Sequence, residues 1–247
     1  MIQHIVMDNQ AFWFDDQLLK EPVERVFDAE YWHEQSKVIG SATGRGTTWF
    51  VQLETMQAAL RHYRRGGLFG KLVKDQYWFT DWNQSRSAEE FNLLHRLIDA
   101  GVNVPKPIAA RVTKMGLTYK ADLLSEKIPN AKDLVDILQT RSLSRDEYVS
   151  IGCEVAKMHR ANVNHTDLNI HNILIDGQNK VWIIDFDKCA QELVTSNEKW
   201  KQSNLDRLLR SFKKEQKKRN IQWDEPEFQY LFSGYQRGAG RQSSRSV

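Results

Sequence analysis

Two short runs of apolar residues edged by polar ones read as strands: TTWFVQLE at 47–54 and AALRHY at 58–63. The TMQ turn between them is short enough to make the pair a β-hairpin. YWFTDW at 77–82 reads as a further strand or a loop. At residue 87 the period changes. SAEEFNLLHRLIDAG places Phe91, Leu94 and Ile98 at helical spacing, with Ser87 and Glu90 set as a capping box and Gly101 as the stop. VPKPIAARV and LTYKADLLSEKI then return to strand patterning.

From about Pro129 helices dominate. Asn130 is placed to cap a short helix carrying Leu134, Ile137 and Leu138. Ser144 with Glu147 caps a longer one through Ile151, Val155 and Met158. NLDRLLRSFKK puts Leu205, Leu208, Leu209 and Phe212 on one face with its basic residues largely opposite, and Asp224 and Glu227 open a last helix through Phe228, Leu231 and Tyr235. Strands with one helix come first and helices follow. The expected fold is therefore α+β and bilobal: residues 1–128 a strand-rich lobe ending in a connection near 125–128, residues 129–247 a mainly helical lobe with a flexible tail.

Composition adds little that is unusual. In 247 residues, 40% hydrophobic and 27% charged, there is room for a sizeable core, and 13 Gly with 5 Pro argue against long linkers. The two cysteines, Cys153 and Cys189, have no metal-ligand spacing and suit a reducing compartment. The N-terminus lacks the basic-then-apolar order of a signal peptide, and no apolar run reaches the length of a membrane span. The net charge of +3 is uneven: Arg207, Arg210, Lys213, Lys214, Lys217, Lys218 and Arg219 meet one acid, Glu215. That run is either a solvated helix face or a surface for phosphate or anionic lipid.

The chemistry sits in two pieces. HTDLNIHNILID places Asp167 and Asn172 five residues apart at the start of an apolar run, and VWIIDFD ends another at Asp185. Burying such groups without partners costs a few kcal/mol each, so either a hydrogen-bond network or a bound metal must hold them. The spacing H-x-D-x4-N followed by D-F-x is that of protein-kinase-like enzymes. In this reading Asp167 orients the attacking hydroxyl and takes its proton, while Asn172 and Asp185 hold Mg²⁺ against the phosphates of ATP. In the first half, Gly44, Arg45 and Gly46 precede a strand, where glycines let a backbone approach phosphates, or simply turn a hairpin. Arg61 occupies the place of the expected strand lysine, with Lys71 and Lys74 as rivals. Glu90 is its ion-pair partner, or else only the capping-box acid.

These residues resemble the lipopolysaccharide-core kinases, and among them the 3-deoxy-D-manno-octulosonic acid (Kdo) kinases. The blocks LRHYRRGG and HTDLNIHNILID are the specific ones, and GRGTTWF, VWIIDFDK and NLDRLLRSFKK extend the similarity through nearly the whole chain. The resemblance implies an ATP-dependent enzyme on the cytoplasmic side of the bacterial inner membrane that phosphorylates the 4-hydroxyl of Kdo on lipid A precursor. It implies Asp167 as catalytic residue, and it makes arginine at 61 a family trait.

The expected partners are Kdo-lipid A precursor and an anionic inner-membrane surface, with no nucleic acid and no obligate protein partner. Thr166 before the catalytic Asp, Asp187 after Phe186 and the short chain from there to Asn204 leave no room for a long activation segment. A small or lipid-borne hydroxyl suits that better than a polypeptide. The rivals are a kinase for another substrate class, a nucleotide-binding pseudokinase, and nucleic-acid binding through the basic helix. The last of these lacks interleaved aromatics.

Overall fold

The computed structural model describes residues 1–43, 46–65, 75–193 and 198–240. The chain divides into two compact units: Met1–His95 with Pro105–Ile128, and Arg96–Val104 with the chain from Pro129 onward.

The first unit is built on an antiparallel sheet. Its described strands are β1 (Ile2–Met7), β2 (Gln10–Asp15), β3 (Val38–Thr43), β4 (Thr47–Gln52), β5 (Gln57–His62), β6 (Tyr77–Trp78), β7 (Pro107–Met115) and β8 (Thr118–Glu126). They lie in the order β1-β2-β7-β8-β5-β4-β3, with β6 also pairing β8. The expected hairpin is β4–β5, in register from Thr48↔Arg61 to Gln52↔Gln57. The β1–β2 hairpin is absent from the hydropathy pattern, for opposite reasons in its two strands. β2 buries Ala11, Phe12 and Trp13 in succession, so alternation vanishes, whereas β1 is exposed along most of its length. Helix α1 (Ala29–Glu34) adds Trp32, fully buried, its indole N–H donating to the Val26 carbonyl at 2.9 Å. With Phe12, Val51, Ala58, Ile108 and Leu124 it forms the core.

Helix α2 (Arg86–Asp99) corrects one expectation. It starts a residue ahead of Ser87, the Ser85 carbonyl accepting from the Glu89 amide at 2.9 Å. Ser87 is thus inside the first turn and gives its hydroxyl to the Arg111 carbonyl, at 3.0 Å. The capping-box role of Ser87 and Glu90 falls away, and Glu90 faces the sheet instead.

In the second unit, β9 (Lys132–Asp133) leads into α3 (Leu134–Thr140), whose N-cap is Asp133 rather than Asn130: its carboxylate accepts from the Asp136 amide at 2.8 Å. Asn130 sits at φ 53°, a left-handed turn that asparagine tolerates. Helix α4 (Arg145–Arg160) begins at the expected capping box, Ser144 accepting from the Glu147 amide at 3.2 Å and Glu147 from the Ser144 amide at 2.7 Å. Short strands β10 (Val163–Asn164), β11 (Ile173–Ile175), β12 (Val181–Ile183) and β13 (Ala190–Gln191) follow, then α5 (Lys199–Arg219) and α6 (Phe228–Ala239). Helices α4 and α6 cross at glycines: a Cβ on Gly152 would collide with the Leu231 carbonyl, and one on Gly234 with that of Val149.

Candidate active site

In the second unit β11 and β12 pair antiparallel, Ile173↔Ile183, and extend to a bond from the Ile184 amide to the Asn172 carbonyl at 3.0 Å. The two sequence pieces thus meet at one end of one hairpin. Asn172 closes a single 3-10 turn (Ile170–Asn172) and donates its Nδ2 to the Asp167 carbonyl at 3.0 Å; Asn169 donates to the same oxygen at 2.8 Å. Asp167 is therefore held through its backbone, while its side chain is exposed.

His165, fully buried, locks the loop from behind. The Ile184 carbonyl, 3.0 Å from Nε2, can only accept, so Nε2 carries the proton and Nδ1 accepts the Asp167 amide at 3.3 Å. Burial pushes the His165 imidazole below its ordinary value, which keeps that tautomer neutral. Its ring lies 4.9 Å from that of Phe186, 1% exposed. Asp185, between Ile184 and Phe186 in the chain, stands at φ 63°, exposed. A non-glycine residue there costs roughly 1–2 kcal/mol, and burying one phenyl side chain stabilises by about as much or more. Phe186 thus anchors the strained turn that presents Asp185.

Helix α5 supplies what the sequence reading missed. Asn204, 2% exposed, accepts from the His165 amide at 3.1 Å and donates to the Asn164 side chain at 2.9 Å. Its Oδ1 also faces His159 Nε2 at 3.3 Å; burial drives that imidazole down to about 4. One turn on, the Arg207 guanidinium donates to the Thr166 carbonyl. One further turn on, the Ser211 hydroxyl accepts the Ile170 amide at 3.1 Å, and a turn beyond that Glu215 lies 3.5 Å from His171 Nε2. This polar stripe runs beside the apolar stripe of Leu205, Leu208 and Phe212 and grips the loop at 164–171. Its signal in NLDRLLRSF is the helical spacing of Asn204, Arg207 and Ser211, which a purely apolar reading of the helix passes over. The basic run is partly spent internally: Lys213 pairs with Glu225 at 2.5 Å and Arg219 with Glu215 at 3.4 Å.

In the first unit, Arg61 on β5 reaches Glu90 on α2, with one guanidinium nitrogen 2.5 Å from both carboxylate oxygens. Glu90 is 4% exposed and also accepts the Tyr63 hydroxyl at 2.5 Å; the Arg61 guanidinium lies 4.8 Å from the Tyr63 ring centre. Next to it, His62 has Asp122 at 2.7 Å from Nδ1 and Asp75 at 3.1 Å from Nε2, and the bond to Asp122 raises the imidazole above its ordinary value against the effect of burial. Gly46 lies beside Arg64, whose side chain a Cβ there would displace. Gly44, Arg45, Lys71 and Lys74 fall outside the described residues.

The chain matches the model of the lipopolysaccharide kinase (Kdo/WaaP) family over residues 29–235. It is 64% identical over 231 residues to a 3-deoxy-D-manno-octulosonic acid kinase of Vibrio parahaemolyticus, covering 94% of this chain and 96% of the relative. A kinase of the same name from Vibrio cholerae is 62% identical, covering 94% and 98%, and one from Haemophilus influenzae is 48% identical, covering 92% and 97%. Among solved structures, WaaP in complex with acyl carrier protein aligns with a TM-score of 0.58 at 16% identity over 89% of this chain and 88% of that one, which fixes the fold as α+β and kinase-like. The protein is a kinase, a phosphotransferase acting on a hydroxyl group, and it belongs to the lipopolysaccharide kinase (Kdo/WaaP) family.

Proposed function

We propose that this kinase transfers the γ-phosphoryl group of ATP to the 4-hydroxyl of the Kdo residue on Kdo-lipid A precursor, with Asp167 as the catalytic residue. The observation that carries the reading is the backbone clamp on Asp167, which fixes its main chain by three hydrogen bonds and leaves the carboxylate exposed to a substrate hydroxyl. Asp167 accepts the hydroxyl proton as the oxygen forms its bond to phosphorus; the bond to the bridging oxygen breaks, and ADP leaves. The neutral His165 keeps the loop in register and takes no proton.

Asn172 and Asp185 suit Mg²⁺. Asn172 spends its Nδ2 on the Asp167 carbonyl, which leaves Oδ1 to ligate, and Asp185 adds a carboxylate from the adjoining backbone. One carboxylate and one amide oxygen, completed by water and phosphate, are the hard donors this ion takes. When bound, Mg²⁺ supplies positive charge against the phosphates. Arg61, ordered by Glu90, is assigned to the phosphates of ATP, and Gly44, Arg45 and Gly46 to a backbone approach to them.

We assign the enzyme to the cytoplasmic side of the inner membrane, an assignment that a lipid-borne acceptor supports. Among the described residues no helix is long and apolar enough to cross it. Attachment is assigned to Arg210, Lys214, Lys217 and Lys218 of α5, each contributing roughly 1 kcal/mol near an anionic surface. Salt-insensitive retention on anionic vesicles after neutralising the three lysines would refute that assignment.

The test of the function is mass spectrometry of Kdo-lipid A precursor after incubation with protein, ATP and Mg²⁺. The expected product is heavier by one phosphate and carries it at the 4-position. An unmodified acceptor, with another sugar phosphorylated from the same ATP, would overturn the reading.

A further inference from the structure

Arg207 holds an unusual position within the basic run. Its guanidinium donates to the carbonyl of Thr166, the residue before Asp167, so a permanent positive charge is fixed to the backbone one residue ahead of the catalytic one. Lys213 and Arg219 each have a carboxylate partner, whereas Arg207 has none within ion-pair distance among the described residues; its neighbour Asp206 is engaged with Gln202 at 2.8 Å. One N–H on a neutral carbonyl leaves the rest of the fork undirected, although an arginine is matched to bidentate capture of a carboxylate or phosphate. A half-buried guanidinium with donors to spare, tethered to the backbone of the residue before Asp167, is a site for an anion.

We propose that Arg207 binds the carboxylate of the sugar acceptor and so sets which hydroxyl reaches Asp167. This rests on the Kdo reading above and names the contact that would make it specific. In a 3-deoxy-octulosonic acid the carboxylate stands on C2 and the reacting hydroxyl on C4, separated by the single methylene of the deoxy position. Two groups that close on one ring need two protein groups that are equally close. Thr166 and Asp167 are adjacent in the chain, and the guanidinium bond to Thr166 supplies that pairing. Neutral sugars lacking the carboxylate would lose the charge-assisted contact and with it the alignment. Arg207 is in this account both a specificity residue and, through Thr166, a positioning residue.

The experiment compares two acceptors, Kdo-lipid A precursor and the same compound with the Kdo carboxylate as its methyl ester, on wild type, Arg207→Gln and Arg207→Lys. Melting temperature is recorded for each protein. Wild type is expected to favour the free acid by about tenfold to a hundredfold in kcat/KM, the scale of a charge-assisted bidentate contact. Arg207→Gln should bring that ratio close to one by losing rate on the acid alone, and Arg207→Lys should retain part of it. If Arg207→Gln slows acid and ester by the same factor, Arg207 only braces the loop and the proposal is wrong. Equal use of acid and ester by wild type would also overturn it. Failure of wild type to phosphorylate either acceptor would instead refute the Kdo reading itself.

Discussion

The loop at 164–172 is held largely by neighbouring side chains that bond its main chain: Asn172 and Asn169 on the Asp167 carbonyl, His165 on its amide, Asn204, Arg207 and Ser211 on its neighbours. The cluster around Arg61 is held by charge, with side chains from β5 and α2 meeting on one buried carboxylate. The Asp167 side chain makes none of these bonds, so it can be cut from the first without loosening it. In the second, each side chain is itself the scaffold. Chemistry and stability should therefore separate in the loop and stay coupled at the ion pair.

The sharpest break of this contrast is Asp167→Ala. The backbone bonds survive and the lost side chain is exposed, so melting should stay within about 0.5 kcal/mol of wild type. Turnover should fall by roughly a hundredfold to ten-thousandfold, the usual range for a positioned acid–base group. Activity within about threefold of wild type would remove Asp167 from the chemistry. Asn204→Ala probes the clamp behind it. The His165 amide loses its acceptor, at a cost of about 1–3 kcal/mol for a buried unsatisfied group. The folded fraction should also turn over more slowly, since the loop loses a support. Lost stability with an unchanged kcat would show that the other clamps suffice.

Arg61→Ala is the counterpart in the other unit. It removes a countercharge from buried Glu90, and breaking a fully buried pair costs about 3–5 kcal/mol. Arg61 is 26% exposed, so solvent screening reduces this to roughly 2 kcal/mol. Stability and ATP KM should worsen together, and Arg61→Lys should recover charge but not the fork. Pairing Arg61→Ala with Glu90→Gln should restore stability without restoring KM. If the double variant restores both, Arg61 serves the fold alone.

The two regions were unequally legible in the sequence for the same reason they differ physically. His165, Asp167, Asn172 and Asp185 span 21 residues, and local strand pairing brings them together, so spacing alone announces them. Glu90 lies 29 residues from Arg61, and its polar spacing from Ser87 mimicked a helix cap. Ser87 is instead inside the helix with its hydroxyl on a strand carbonyl, a tertiary contact that no local pattern encodes. Arg207 is legible only as one of a basic run, and the loop contacts of Asn204 and Arg207 carry no local signal because they reach backbone atoms some 40 residues away. The β1–β2 hairpin failed on pattern: one strand is buried residue after residue and the other hardly at all.

The smallest expected effect concerns pH, and it sets the two regions against each other in sign. Both ring nitrogens of His62 face carboxylates, so only the imidazolium satisfies Asp122 and Asp75 together. The hydrogen bond to Asp122 raises its folded value above the ordinary 6.5. The folded state then holds the proton more tightly, and this contribution is complete below about 6.5 and lost as pH rises through the raised value. His165 behaves oppositely. Burial lowers its folded value, so the unfolded chain takes the proton first, and stability falls as pH drops through about 6.5. Melting curves from about pH 5 to pH 9 on wild type and His62→Gln separate the two. His62→Gln should lose the decline on the alkaline side and keep the decline on the acid side. A persistent alkaline decline in His62→Gln would mean that His62 is neutral in the fold and that charge does not organise this region as it does at Arg61.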